Sequence, residues 1–222
     1  MSNLNQTNKV CAVLPFYNEK DFIRDVVLNT LRFVDKVFAV DDGSNDASQT
    51  FINDIESVEI ISLSSKCGKG FALQKGFDEC LKYDYDFILT LDGDNQHKPE
   101  LIPEFLEKIK YFDVVIGNRL SDTNTMPLQR ILSNKITSFV LSKITGQKIV
   151  DSQCGYRIYK KEVLQKVKTT SNGYEAESEI IIKSARAGFN IGFVNIPTIY
   201  GNEKSKMNPV KAIIGFIRIL FK

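Results

Sequence analysis

The sequence has few of the residues that mark metal, disulfide or hydrolase sites. His97 is the only histidine among 222 residues, which excludes zinc sites with several histidines and allows at most one Ser-His-Asp arrangement. The four cysteines, Cys11, Cys67, Cys80 and Cys154, form no Cys-x-x-Cys pair. So few cysteines in a chain of this length are more typical of reduced thiols than of a disulfide framework.

Long apolar runs and concentrated charge are also lacking. No run approaches the roughly 20 apolar residues of a membrane-spanning helix, and residues 1–9 are too polar for a signal peptide. We therefore expect a cytoplasmic protein, or one that is peripheral to the cytosolic face of a membrane. The formal net charge is +2 and the lysines and arginines are dispersed, so we do not expect nucleic acid as a partner.

Apolar runs typical of strands alternate with helical patterns in the first half of the sequence. Strands are predicted at 10–16, 36–40, 58–63, 87–91 and 114–117, and helices at 19–33, 47–55, 69–83 and 99–110. The second half predicts helices at 127–145 and 175–187 and a strand at 191–200. This alternation predicts an α/β fold with a mainly parallel sheet flanked by helices. The length favours one domain, residues 1–208, followed by a C-terminal helix at 209–222.

Polar segments follow three of the predicted strands. Asn18-Glu19 follows the first strand, Asp41-Asp42-Gly43-Ser44 follows the second, and Asp92-Gly93-Asp94 follows the fourth. In open α/β sheets, ligands bind outside the carboxyl ends of the strands. We therefore expect these segments to surround one ligand site.

Asp92 and Asp94 have the spacing of two carboxylates that share a cation. Residues i and i+2 of an extended segment point to the same side, about 6.5 Å apart, and their charges repel unless a cation lies between them. A hard divalent cation, held by one or two carboxylates and by substrate phosphates, would relieve this repulsion, and Gln96 offers a further oxygen. The alternative is a polar turn in which an Asp caps a helix near Pro99.

Two further segments suit a nucleotide. A carboxylate at Asp41 or Asp42 can accept hydrogen bonds from ribose or from a base, although a glycine turn with an Asp cap is the alternative. Lys69 lies between Gly68 and Gly70, where glycines allow close backbone approach and the lysine could reach a phosphate. The alternative for these glycines is a flexible loop before a helix.

Taken together, these motifs resemble glycosyltransferase family 2, and within it the dolichol-phosphate or polyprenol-phosphate mannosyl- and glucosyltransferases. The segments that carry the resemblance are Pro15-Phe16-Tyr17-Asn18-Glu19, 40–46, 68–70, 91–100, 117–119, Arg130, Asp151 with 155–157, Glu177-x-Glu179 and 200–206. The resemblance implies a GT-A nucleotide-diphospho-sugar transferase fold, dependence on Mg²⁺ or Mn²⁺, and inversion at the anomeric carbon.

The resemblance also implies roles for individual residues. Those implied for the nucleotide sugar are Pro15, Tyr17, Glu19, Asp41, Asp42, Lys69, Asp92, Gly93 and Asp94, and those for the metal are Asp92, Asp94 and Gln96. Those implied for the acceptor phosphate are Arg119, Arg130, Asn134 and Lys206, and the catalytic residues are Asp94, Asp151 and Arg119. Two positions depart from the family pattern: Asn134 replaces a usual serine, and 200–206 replaces the mannosyltransferases' usual Arg-x-x-Gly-Glu-Ser-Lys. Both leave the donor sugar open.

The acceptor is implied by the resemblance more than by the spacing of the charges. A polyprenyl or dolichyl phosphate is already anionic and needs no general base, and it would suit the positive charges of Arg119, Arg130, Arg157, Lys204 and Lys206. A sugar hydroxyl would need a base, for which Asp151 is the candidate. A non-catalytic homologue that binds nucleotide sugars is a further alternative. A nucleotidyltransferase or an NAD-dependent oxidoreductase is disfavoured because no glycine-rich loop follows the first strand.

The C-terminal segment is predicted to be an amphipathic helix. From Pro209 onward, Lys211, Gly215, Arg218 and Lys222 form one narrow face, and the remaining residues are apolar. Such a helix can lie in a membrane interface, dock on the core of its own chain, or pair with a second subunit in a homo-oligomer.

Overall fold

The computed structural model describes residues 8–199 and 209–221. Within these residues the strands are β1 Val10–Phe16, β2 Lys36–Asp41, β3 Val58–Ser62, β4 Phe87–Thr90, β5 Val114–Asn118, β6 Arg157–Lys160 and β7 Ile191–Asn195. The helices are α1 Ile23–Thr30, α2 Lys69–Cys80, α3 Ile102–Lys108, α4 Leu128–Thr145, α5 Lys161–Lys166, α6 Glu175–Arg186 and α7 Pro209–Leu220. Short 3₁₀ turns lie at Ser48–Phe51, Pro99–Leu101 and Arg119–Ser121.

The seven strands form one sheet in the order β3-β2-β1-β4-β6-β5-β7. β1 is parallel to both β2 and β4, and its seven residues are all buried, as expected of a central strand covered on both faces. The prediction of a mainly parallel α/β sheet flanked by helices is therefore confirmed. In a parallel sheet the strands share one carboxyl edge, so the loops that follow β1, β2 and β4 meet there.

β6 is the exception to the parallel arrangement. It lies between β4 and β5 and is antiparallel to both, with Arg157 opposite Thr90 on one side and Ile116 on the other. Neither β6 nor α5 is predicted from the sequence, because Arg-Ile-Tyr-Lys is too short to show a periodic pattern. The reversal brings the amino end of β6, and the residues before it, to the edge where the parallel strands end.

Two predicted elements differ from the structure. Residues 47–55 form only the 3₁₀ turn Ser48–Phe51, because serine, threonine and asparagine side chains compete for backbone hydrogen bonds and favour turns over helices. The strand predicted over 191–200 ends at Asn195, close to Pro197, which cannot donate a ladder hydrogen bond. Both errors lie outside the strand ends that build the site.

α7 packs along α6 with one face and exposes the other. Gly215 and Ile219 are buried, whereas Ile213 and Ile217 are 60% and 49% exposed. A Cβ atom on Gly215 would lie 2.8 Å from the carboxyl carbon of Glu175. Gly215 therefore lies close to the end of the Glu175 side chain, on the face of the helix that packs against the protein. Gly215 and Arg218, which the sequence places on one narrow face, differ in exposure: Gly215 is buried and Arg218 is exposed.

No helix within residues 8–199 and 209–221 is both long and apolar enough to cross a bilayer. Cys11, Cys67, Cys80 and Cys154 are all free thiols, which confirms the prediction from their spacing.

Candidate functional site

A cleft of about 630 Å³ opens at the carboxyl edge of the sheet. One of its walls is formed by residues that follow β1, β2 and β4 and by the start of α2. The other is formed by α4, α6 and α7 and by the turn after β5. The lining includes Pro15, Tyr17, Glu19, Asp42, Lys69, Asp92, Gly93, Asp94, Gln96, Arg119, Arg130 and Asn134. The fold thus brings together twelve residues predicted from the sequence for a single site.

The loops after β1 and β2 are tied to each other. The backbone N–H of Asn18 donates to Ser44 Oγ at 2.9 Å, and Asn45 N–H donates to Asn18 Oδ1 at the same distance. Asp41 is 2% exposed and its Oδ1 accepts from Ser44 N–H at 2.8 Å. Asp41 does not line the cleft. It shapes the turn, and its predicted contact with the nucleotide would have to be indirect.

Asp42 holds the loop that leads into α2. Its carboxylate accepts from Cys67 N–H at 2.7 Å and from Gly68 N–H at 3.0 Å. The backbone of Gly68 has φ +109°, in the region that favours glycine, and a Cβ there would lie 2.4 Å from the carbonyl oxygen of Asn172. Lys69 is the first residue of α2. The loop before that helix is held in place by the hydrogen bonds to Asp42.

Lys69 is the centre of a three-membered ionic cluster. Its Nζ lies 2.7 Å from Asp92 Oδ1 and 2.9 Å from Glu177 Oε1. Burial would lower the pKa of Lys69, but the charges of Asp92 and Glu177 outweigh burial and raise it above its usual value. A Cβ on Gly155 would lie 2.7 Å from Lys69 Nζ and 2.8 Å from Asp92 Oδ2. The cluster therefore needs a glycine beneath it.

The environments of Asp92 and Asp94 shift their pKa values in opposite directions. Burial would raise the pKa of Asp92, but Lys69 and then His97 lower it well below its usual range. Burial and the charge of Asp92 raise the pKa of Asp94, and Gln96 N–H donates to Asp94 Oδ1 at 3.1 Å. Asp94 thus carries a negative charge that the surrounding protein does not fully compensate, which is the situation that a bound cation relieves.

Neither aspartate caps the helical turn that follows. The cap residue of the turn Pro99–Leu101 is Lys98, with no side-chain capping hydrogen bond. The capping alternative is therefore wrong. Among the described residues no three His, Cys, Asp or Glu side chains form a metal-binding group. Asp92, Asp94 and the Gln96 amide fit Mg²⁺ or Mn²⁺ only as a partial set of oxygen ligands, which substrate phosphates would complete.

His97 lies beneath Asp92 and was not predicted as a site residue. Its Nε2 is 3.5 Å from Asp92 Oδ2, and its ring contacts the ring of Tyr156, which itself stacks on Phe105 at 4.4 Å. Tyr156 is fixed by a hydrogen bond from its hydroxyl group to Lys98 O at 3.1 Å. This aromatic packing holds the imidazole against the back of the carboxylate.

Arg119 and Asp151 form a two-point ion pair on the opposite wall. Arg119 Nε and Nη2 donate to the two oxygens of Asp151 at 2.9 and 3.0 Å, and the Arg119 backbone N–H also donates to Oδ2. Asp151 is fully buried and also accepts from the Asn134 amide at 2.6 Å. Burial would raise the pKa of Asp151, but Arg119 and Asn134 lower it.

Asn134 is buried and fully engaged within the protein. Besides donating to Asp151, it accepts through Oδ1 from Ser138 Oγ at 3.1 Å and from Ser152 N–H at 3.3 Å. The predicted contact between Asn134 and the acceptor phosphate therefore competes with three internal hydrogen bonds. The neighbouring Ser133 is exposed and also lines the cleft.

Comparison of the sequence with known protein families identifies the family of this chain. Residues 11–168 match the model of glycosyl transferase family 2. The chain belongs to glycosyltransferase family 2. The resemblance stated from the motifs is therefore confirmed for the family.

Several relatives of this family 2 transferase match nearly its whole length. A Methanococcus voltae protein, UDP-N-acetylglucosamine–dolichyl-phosphate N-acetylglucosaminyltransferase, is 28% identical and covers 93% of this chain and 92% of its own. The polyprenol monophosphomannose synthase of Mycolicibacterium smegmatis is 27% identical and covers 93% and 84%. A protein from Methanocaldococcus jannaschii without an assigned activity is 32% identical and covers 100% and 94%.

Solved structures of glycosyltransferases share the fold. Mannosyl-3-phosphoglycerate synthase from Rubrobacter xylanophilus superposes with a TM-score of 0.76 at 17% identity, over 96% of this chain and 73% of its own. Glucosyl-3-phosphoglycerate synthase from Mycobacterium tuberculosis, solved with Mn²⁺ and UDP, gives 0.70 at 20% identity, over 96% and 79%. The transferase therefore has the GT-A fold, as its motifs imply.

Three of the positive charges predicted to suit an acceptor phosphate are either buried in the structure or lie outside the described residues. Arg157 is 1% exposed and donates to the carbonyl oxygens of Ser152, Cys154 and Glu177, so the prediction that its charge faces an acceptor is wrong. Lys204 and Lys206 lie outside the described residues. Tyr174 and Glu175 line the cleft without having been predicted, since no motif in the sequence marks them.

Proposed function

We propose that this transferase moves a sugar from a nucleotide-diphosphate sugar to a polyprenyl or dolichyl phosphate, with inversion at the anomeric carbon and dependence on Mg²⁺ or Mn²⁺. Curated relatives that match almost the whole chain are named for transfer to dolichyl, polyprenol or undecaprenyl phosphate. Such a protein would work at the cytosolic face of a membrane, in peripheral contact with it.

One observation carries the choice of acceptor. Asp151, the candidate base for a hydroxyl acceptor, is fully buried and bound at both oxygens. Arg119 and Arg130, in contrast, line the cleft. The cleft thus presents the two arginines and not the Asp151 carboxylate, which suits an acceptor that is already anionic. In this proposal Asp151 orients Arg119, and Asn134 orients Asp151.

The donor would lie against the acidic wall. Pro15, Tyr17, Glu19 and Asp42 line the end that we assign to the nucleoside, and Lys69 lies between that end and Asp92. Asp92, Asp94 and Gln96 would hold the cation beside the diphosphate. When bound, a divalent cation supplies positive charge to the departing nucleotide diphosphate. Lys69, kept in place by Glu177, adds a second fixed positive charge to the same group.

The transfer needs no proton movement. An anionic oxygen of the acceptor phosphate forms the new bond to the anomeric carbon. The bond between that carbon and the donor's β-phosphate oxygen breaks, and its electron pair leaves with the nucleotide diphosphate. A phosphate monoester has its second pKa near 6, so the attacking oxygen is already ionised near neutral pH. Arg119 and Arg130 would hold this oxygen opposite the leaving group.

The test is a panel of UDP- and GDP-linked sugars, offered with a short polyprenyl phosphate or with the matching prenol that lacks the phosphate. Each reaction is run with Mn²⁺ and with a chelator, and lipid-linked sugar is measured. We expect product from at least one donor, only with the phosphorylated lipid and only with metal. Equal transfer to the prenol would contradict the anionic acceptor, and no product from any donor would contradict the transferase activity.

A further inference from the structure

The outer surface of α4 carries an apolar stripe. Leu128, Leu132, Ile136 and Phe139 are 82%, 62%, 54% and 63% exposed. Their spacing of four, four and three residues places them on one face of the helix, which we call the α4 stripe. Large side chains at this exposure are unusual when they are contiguous, because each leaves apolar surface in contact with water.

α7 carries a second stripe. Ile213, Ile214 and Ile217, which we call the α7 stripe, are 60%, 51% and 49% exposed, although the opposite face of the same helix is buried against the protein. The helix therefore has apolar residues on both of the faces that the structure describes. Docking on the chain's own core explains the buried face and leaves the other one unexplained.

Each stripe contributes an isoleucine to the cleft. Ile136 of the α4 stripe and Ile213 of the α7 stripe both line it, on the same side as Arg119 and Arg130. An acceptor whose phosphate lies at the arginines would extend its apolar chain along these two isoleucines. This position of the apolar chain rests on the proposed lipid acceptor, whereas the exposure of the stripes does not.

The charged residues of the two helices are of one sign, whereas Glu175 of α6 lies against Gly215 on the buried face of α7. Neither α4 nor α7 contains an aspartate or a glutamate, and Lys135, Lys143 and Arg218 are exposed beside the apolar residues. A symmetric contact between two copies would bring these positive charges face to face. An anionic lipid surface would pair with them and would also cover the apolar side chains.

We propose that the α4 and α7 stripes together form the surface with which the protein binds an anionic membrane, so that the cleft opens toward the bilayer. The C-terminal helix is then one half of the membrane contact, and α4, a helix of the catalytic body, is the other half. The acceptor phosphate reaches Arg119 and Arg130 from the membrane plane, while its isoprenoid chain stays against Ile136 and Ile213.

The experiment compares sedimentation of the full chain with vesicles of phosphatidylcholine alone and with vesicles that also contain phosphatidylglycerol. The test variant is Leu132→Ser/Phe139→Ser, and the matched control is Tyr111→Ser, a 73% exposed aromatic outside both stripes. We expect binding to the anionic vesicles that weakens with added salt. The double variant should lower the partition coefficient at least about tenfold, since each side chain loses apolar burial. The control should leave it unchanged.

Thermal melting of both variants shows whether the fold is retained, and light scattering measures the oligomeric state. Unchanged partitioning of the double variant, or an equal loss in Tyr111→Ser, would overturn the proposal. The proposal would also be overturned if the wild-type protein were a dimer that does not bind vesicles and the double variant were a monomer. Because partitioning is measured without donor or acceptor, a failed transfer assay with intact vesicle binding would count only against the proposed reaction.

Discussion

The two walls of the cleft differ in charge and in construction. The acidic wall, with Asp92 and Asp94, follows parallel strands, and its loops are held by backbone hydrogen bonds to carboxylates such as Asp42. The basic wall, with Arg119 and Arg130, is held by side chains that meet around the buried Asp151. One wall is fixed by short polar turns next to strands, and the other by contacts between residues far apart in the sequence.

Because each wall is held by its own contacts, one cleft can carry acidic residues on one side and basic residues on the other. On the acidic wall, Lys69 compensates Asp92, while Asp94 keeps a raised pKa and an unrelieved charge. On the basic wall, Asp151 pairs with Arg119 and fixes the position of its guanidinium group. We infer that the acidic wall is built to gain a cation and that the basic wall holds its arginines in place for an anion.

The largest effect is expected from Asp94→Asn. If the acidic wall is the cation site, this change should lower kcat by about 10²–10³-fold, since it removes charge that acts on the leaving group. Because the folded state raises the pKa of Asp94, its ionisation costs stability as pH rises above 3.8. The variant should therefore melt at pH 7 no lower than the unchanged protein.

Initial rates and thermal melts of Asp94→Asn are to be compared with those of Asp21→Asn, an exposed aspartate in the loop before α1. Turnover close to that of the unchanged protein would remove Asp94 from the cation site, whatever the melting temperature.

Asp151→Asn tests the basic wall. The change leaves the guanidinium of Arg119, whose side chain is 18% exposed, without its counter-charge, and should lower the free energy of unfolding by about 3–5 kcal/mol. The matched control is Asp54→Asn. Asp54 also forms a two-point pair with Arg24, at 2.7 and 2.9 Å, but on an exposed surface, where a much smaller loss of stability is expected.

Urea unfolding of both variants measures the difference. If Asp151→Asn and Asp54→Asn lower the free energy of unfolding equally, burial of the Arg119–Asp151 pair does not stabilise the basic wall. A loss of turnover with unchanged stability would instead return Asp151 to the role of base.

The smallest effect is expected at the segment where the two walls meet. Glu179 accepts from the Thr169 hydroxyl at 2.7 Å and from Ser171 N–H at 2.9 Å, and the carbonyl oxygen of Ser171 faces Gly70. Burial would raise the pKa of Glu179, but Lys183 and these donors lower it far below 4.5. Its contribution to stability is therefore present above pH 4.5 and is lost as the pH falls toward the folded pKa.

Glu179→Gln should destabilise the protein by about 1–3 kcal/mol at pH 7, because a charged acceptor of several hydrogen bonds is lost. The difference in the free energy of unfolding between the variant and the unchanged protein should be smaller at pH 3.5 than at pH 7. Urea unfolding at both pH values measures it. If the difference in the free energy of unfolding is the same at both pH values, the contribution of Glu179 comes from packing and not from its charge.

The acidic wall is the part that the sequence predicts well. Apolar runs locate β1, β2 and β4, and the polar residues that follow each strand reach the same edge because parallel strands share it. Asp92, Asp94 and Asp42 therefore line the cleft as expected. These predictions depend on local patterns, and local patterns are visible in a single sequence.

The basic wall is predicted only in part. The resemblance to the family locates Arg119 and Arg130, but not the burial of Arg157 or the internal hydrogen bonds of Asn134, because these depend on where β6 and the residues before it lie. Neither the pairing of β6 nor its direction has a periodic signal in four residues. The contact between Lys69 and Glu177 is equally hidden, since it joins two helices that are distant in the sequence.

The antiparallel insertion of β6 has a consequence for how the chain can change in length. Arg157 lies opposite Thr90 and Ile116, and a shift of one residue would turn it to the other face of the sheet. The span from Asp151 to Arg157 runs between two buried anchors and cannot absorb an inserted or deleted residue. Grafts, tags and loop exchanges therefore belong outside this span.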